Sequence, residues 1–63
     1  MLGKPVIRGT RIPVELILRK LAGGATGQTL IEAYPQLTRA GIQAALVYAA
    51  EALSLEHAEP RVV

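Results

Sequence analysis

Sixty-three residues make one small domain, which buries only about 60% of the surface its unfolded chain exposes, so the core is marginal without a staple of some kind. Cysteine is absent and the one histidine, His57, stands without a cluster around it, which excludes a disulfide or thiolate metal site and leaves oligomerisation as the staple. The net charge of +2 hides an asymmetry: residues 1–20 set Lys4, Arg8, Arg11, Arg19 and Lys20 against Glu15, whereas residues 21–63 set Arg39 and Arg61 against four glutamates. One end is therefore basic, a footprint suited to phosphates or to head-to-tail contacts between proteins.

The chain opens with Gly3-Lys4-Pro5-Val6-Ile7-Arg8-Gly9-Thr10-Arg11-Ile12-Pro13, two apolar pairs bracketing a basic centre. Gly9-Thr10 fits a two-residue hairpin loop with Gly at the first central position, where a type II′ turn needs positive φ. Ile7 then faces Ile12, and Arg8 faces Arg11. Like charges set opposite one another destabilise a strand pair, so this arrangement favours an anion between them, from nucleic acid or an acidic protein surface. The alternative is that both guanidiniums splay into water and the hairpin is only a structural lip.

Pro13 suits the first position of a helix, and Val14, Ile17, Leu18 and Leu21 follow at the spacing of a buried stripe. Glu15 and Arg19 sit one turn apart on its solvent side, and Gly23-Gly24 supplies a left-handed stop. Thr26 caps a short second helix running to about Tyr34, with Leu30, Ile31 and Tyr34 as its inner face and Pro35 preventing continuation. Thr38 caps the third and longest helix. Ala25 with Leu30, and Leu37 with Ile42, occupy hydrophobic-staple positions around these two caps. The expected architecture is mainly α: three helices behind an N-terminal β-hairpin over residues 3–53, with residues 54–63 as a tail.

The third helix carries Ile42, Ala45, Leu46, Ala49 and Leu53 on its core stripe, while Ala44, Val47, Tyr48 and Ala52 make much of the remainder apolar. Two short partner helices cannot cover that much surface, so Ala44, Val47, Tyr48 and Ala52 are expected to meet a second subunit or another protein. A homodimer is the simplest case. Alanines that merely raise helix propensity are the competing explanation. Tyr34 and Tyr48 are both expected on inward faces with their hydroxyls at the rim. No apolar run approaches the roughly 20 residues of a membrane span and no export signal is evident, so a cytoplasmic location is expected.

From Gly3 to Glu51 the chain resembles the bacterial and archaeal family known as domain of unknown function four-three-three. The resemblance is carried by residues 3–15, by Tyr34-Pro35 with Leu37-Thr38, and by Ala44-Ala45-Leu46 with Tyr48-Ala49. It implies a three-helix, homeodomain-like helix-turn-helix fold with a small N-terminal strand element. More weakly, it implies the antitoxin half of a toxin-antitoxin pair, because many members look like partners of small PIN-like nuclease toxins. Two departures stand out: relatives usually carry a longer lead-in before the Gly-Lys-Pro motif, and Gly41 stands where an acidic residue is typical.

Two classes of function follow. As a DNA binder, the protein would contact phosphates through Lys4, Arg8, Thr10 and Arg11, and would present Arg39 and Gln43 to base edges from the start of the third helix. That reader is poor in the usual side chains, since the rest of the helix is mostly Ala, Leu, Val and Tyr. As a protein-interaction or oligomerisation module without DNA binding, it would use the apolar third helix. An enzyme is not expected, given one His, no Cys or Asp, and no Glu beside a plausible nucleophile; nor is any cofactor or metal.

Overall fold

The computed structural model describes residues 3–55, the side chain of Leu55 excepted. Three helices follow in chain order, α1 (Val14–Ala22), α2 (Gly27–Ala33) and α3 (Arg39–Leu55), and both shorter helices pack against α3. Their ends obey local chemistry. The α1 C-terminus closes as a Schellman motif: Ala25 N–H donates to the Lys20 carbonyl, Gly24 N–H donates to that of Leu21, and Gly24 takes the positive φ of +105° that the motif requires. Thr26 Oγ1 accepts from Thr29 N–H at 3.0 Å and Thr38 Oγ1 from Gly41 N–H at 3.0 Å, so both expected N-caps form. Pro13 serves as the N-cap of α1 rather than its first helical residue, a one-residue difference of the ordinary kind at helix ends.

The core is a single cluster of Ile7, Val14, Ile17, Leu30, Leu37, Ile42 and Ala45, with Ile17 wholly enclosed. Leu18, Leu21, Ile31 and Tyr34 pack half-buried around it. Both staple pairs contribute, Leu37 and Ile42 from the buried cluster and Leu30 with the half-buried Ala25.

Three expectations need correction. First, among the described residues the N-terminal segment forms no strand: a lone antiparallel bridge joins Val6 to Pro13, and Ile7 N–H donates to the Ile12 carbonyl at 2.8 Å. Ile7 does stand opposite Ile12, but the turn is not the expected one. Thr10 N–H donates to the Ile7 carbonyl at 3.0 Å, which puts Gly9, at φ +79°, in the third position of a four-residue turn, as in type II. The Thr10 hydroxyl then donates to the Ile7 carbonyl at 2.8 Å and accepts from Ile12 N–H at 3.0 Å. These side-chain bonds replace the next rung of a ladder, so Arg8 and Arg11 sit at different places in a loop, not across a strand pair.

Second, Leu46, Tyr48 and Leu53 are not core: their exposures are 48%, 49% and 70%. The buried face of α3 is used up by Ile42, Ala45 and the half-buried Ala49, and every described side chain from Ala50 to Ser54 is exposed. The short α1 and α2 reach only the first half of a 17-residue helix. Third, α3 continues through Leu55, so the first two residues expected in the tail are helical; residues 56–63 lie outside the described residues.

Gly41 lets the N-terminal loop lie close on α3. A Cβ there would stand 3.0 Å from Ile7 Cγ2 and 3.4 Å from Leu37 Cδ1, tighter than ordinary van der Waals contact. Glycine normally weakens a helix by about 1 kcal/mol relative to alanine, and here that cost goes with the burial of Ile7.

Ile17→Ala is expected to lower the unfolding free energy by about 2–5 kcal/mol. Against a total that is at the low end of roughly 5–15 kcal/mol for so small a domain, that loss removes most of the cooperative transition. Urea unfolding followed by far-ultraviolet circular dichroism measures it; a midpoint unchanged from the parent protein would contradict the assignment of Ile17 as the centre of the core.

Candidate functional site: the basic loop and the outer face of α3

The residues expected to meet nucleic acid are divided by the fold. Lys4 Nζ lies 3.5 Å from Glu15 Oε1, and the same carboxylate takes Arg19 Nη2 at 2.8 Å and Nε at 2.9 Å. Lys4 is thus one member of a three-residue charge cluster with Glu15 and Arg19 on the outer side of α1. Arg39 turns back towards α2, where its Nη2 donates to Gln28 Oε1 at 3.1 Å, while Gln28 Nε2 donates to Glu32 Oε2 at 3.0 Å. Thr10 is engaged in its own turn. Arg8, Arg11 and Gln43 are exposed, and no side-chain hydrogen bond or ion pair engages them among the described residues.

Arg8 has a defined setting. It lines a groove of about 340 Å³ between the loop and the start of α3, with Ile7, Gln36, Thr38, Ala40 and Ala44 among the walls. An adjoining groove continues along α3 past Ala44 to Tyr48, with Val6 and Arg8 on the loop side. Helical periodicity of about 3.6 residues per turn places Ala40, Ala44, Val47 and Glu51 on the side of α3 turned away from buried Ile42 and Ala45. Tyr48 borders this face on the loop side and Ala50 on the other, while Leu46, Ala52 and Leu53 return towards the line of Ile42, Ala45 and Ala49. The four interface candidates, Ala44, Val47, Tyr48 and Ala52, are all exposed.

The result is a surface with two characters. Its loop edge offers a guanidinium over small side chains. Its helix offers Leu46, Val47, Tyr48 and Leu53 at 48%, 54%, 49% and 70% exposure, with Glu51 as the one charged residue from Ala40 to Leu55. Periodicity foresaw Val47 on an uncovered face but read Tyr48 both as an interface residue and as inward-facing, and assigned Leu46 and Leu53 to the core. The signal that could have separated them is length: a 9-residue and a 7-residue helix span about 14 Å and 11 Å against about 26 Å for α3 at 1.5 Å per residue, so its far turns outrun any cover. Among the described residues no His, Cys, Asp and Glu group could hold a metal ion, and no helix is long and apolar enough to cross a membrane.

The setting of Glu15 shifts its titration. The Arg19 hydrogen bond, then the positive charge of Lys4, hold its carboxyl below the ordinary glutamate value although it is exposed. A depressed carboxylate contributes stability that is present above the unfolded pKa and is lost as pH falls through the folded one. Carbon-detected NMR titration is expected to give Glu15 a midpoint below that of a glutamate in an unstructured peptide, and Arg19→Ala should move it upward. A midpoint indifferent to Arg19→Ala would mean the contact of Arg19 with Glu15 Oε2 does not persist in solution.

Comparison with known proteins agrees with the motif reading. The chain is 40% identical over 47 residues to a protein described as "Uncharacterized protein y4eO" from Sinorhizobium fredii; the match takes in 75% of this chain but 21% of that protein's length. No solved structure matches. The model of the family described as "Protein of unknown function (DUF433)" matches residues 1–49, which include the loop, all three helix starts and the first two-thirds of α3, and the chain belongs to that family.

Proposed function

We propose that this protein is an antitoxin-type regulator that acts chiefly by protein contact, seating the exposed apolar side of α3 on a partner chain. The carrying observation is that Leu46, Val47, Tyr48 and Leu53 are each about half exposed or more on one helix with a single charge beyond its first turn. A helix apolar on nearly all sides is stable against another protein, not against water, and recognition of a helix through such anchors is a common mode. The resemblance described above points to a PIN-like nuclease as the kind of partner, and a cytoplasmic location belongs to the same reading. Co-expression with a PIN-like nuclease from the same genome is expected to give a complex in which RNA cleavage is suppressed. Leu46→Lys with Leu53→Lys should weaken that complex by about a hundredfold if both are buried anchors. Suppression that survives both changes would refute the assignment.

DNA binding is the second reading, favoured by Arg8 and Arg11 projecting from one loop while α2 and α3, joined through Tyr34–Thr38, form the pair a homeodomain-like helix-turn-helix would use. It has less support on α3 itself, because Arg39 is held by Gln28 and only Gln43 remains as a polar reader. Contacts from the loop would go to phosphates and give weakly specific, salt-sensitive affinity. Fluorescence anisotropy with a duplex from the protein's own upstream region should show binding that falls steeply with salt and is lost in Arg8→Ala/Arg11→Ala. Absence of binding at low salt eliminates this reading and leaves protein contact alone.

A further inference from the structure

We infer that the outer face of α3 pairs with a second copy of this chain, antiparallel about a two-fold axis between Val47 and Tyr48, with Arg8 of each copy on Glu51 of the other. The inference rests on reading α3 as an interaction surface and names the occupant of one side of it. Under such an axis, residues whose numbers sum alike face one another: Val47 meets Tyr48, and Ala44 meets Glu51. Arg8 lies beside Ala44, since both line the two adjoining grooves along α3. The carboxylate of Glu51, which comes from the second copy, therefore arrives at the guanidinium, and symmetry makes the contact twice.

Charge complementarity selects a second copy over an unrelated chain. The ion pairs among the described residues are Lys4 and Arg19 with Glu15, so Arg8 and Glu51 are opposite charges on one face, each without an ionic partner there. They stand at the two ends of an otherwise uncharged strip. Within one copy they do not pair, with Ala44 and Glu51 two helical turns, or about 10 Å, apart along the helix. An antiparallel copy brings each to the other without moving the backbone. Ala40 and Ala44 are small enough for close helix approach, while Val47 and the Tyr48 ring fill the centre, where aromatic anchors contribute most. Leu46 and Leu53 lie off this face and remain for a different chain. This contact assigns Arg8 to the subunit boundary, which leaves Arg11 as the loop's free cation.

Sedimentation equilibrium of the full chain across micromolar concentrations tests the contact, with circular dichroism as the check on folding, since both charged residues are exposed. A monomer-dimer equilibrium is expected. Arg8→Glu and Glu51→Arg, each replacing two attractions by two repulsions, should weaken it by about tenfold or more, and the two changes together should restore it to within about threefold. A monomer at every concentration overturns the contact, as does a dimer indifferent to either single change or one that the double change fails to restore. Binding of a nuclease through Leu46 and Leu53 by such a monomer would separate failure of this contact from failure of the proposed function.

Discussion

The structure depends on the packing of one edge of α3, Ile42 and Ala45, into the cluster formed by Ile7, Val14, Ile17, Leu30 and Leu37. Every other element contributes to that edge. α1 brings Val14 and Ile17, α2 brings Leu30, the connection between α2 and α3 brings Leu37, and the N-terminal loop closes the set with Ile7. A cluster of seven residues is a small store of hydrophobic stabilisation for a chain of this length. Its economy explains the rigour of the local chemistry: Thr26 and Thr38 cap, Gly24 closes α1, and Thr10 ties its own turn, each contributing about 1 kcal/mol where the core has little to spare.

The same economy leaves an apolar surface uncovered. α1 and α2 are too short to follow α3 beyond Ala49, so the helix leaves its core while its sequence remains apolar. Leu46, Val47, Tyr48 and Leu53 are the exposed large side chains of α3, and the basic loop lies along one side of the helix. Ile7 ties the loop to the helix: its burial over Gly41 anchors the loop that carries Arg8 beside Ala44.

Electrostatics divides the basic N-terminal segment into two parts. Glu15 draws Lys4 and Arg19 into a local cluster on α1, and Gln28 holds Arg39 against α2. Of the other described cations, Arg8 and Arg11 lie on the loop and Lys20 on the last turn of α1. A count of basic residues overstates the potential offered to a phosphate backbone, because three of the cations are already committed within the chain.

Sequence alone determined the three helices and their caps, since Thr26, Thr38, Gly24 and the apolar spacing of Val14 and Ile17 act over a few residues and need no distant partner. It also carried the family, through residues 3–15 and the Tyr34-Pro35 and Ala44–Ala49 segments. Tertiary structure decided which apolar side chains are core. Leu46 and Leu53 share the periodicity of Ile42, and only the lengths and placement of α1 and α2 leave them uncovered. The turn, by contrast, was settled locally: the Thr10 hydroxyl donates to the Ile7 carbonyl and accepts from Ile12 N–H, and Gly9 takes positive φ as the third residue of the turn. Local rules act within a helical turn or a loop; burial depends on what arrives from elsewhere in the chain.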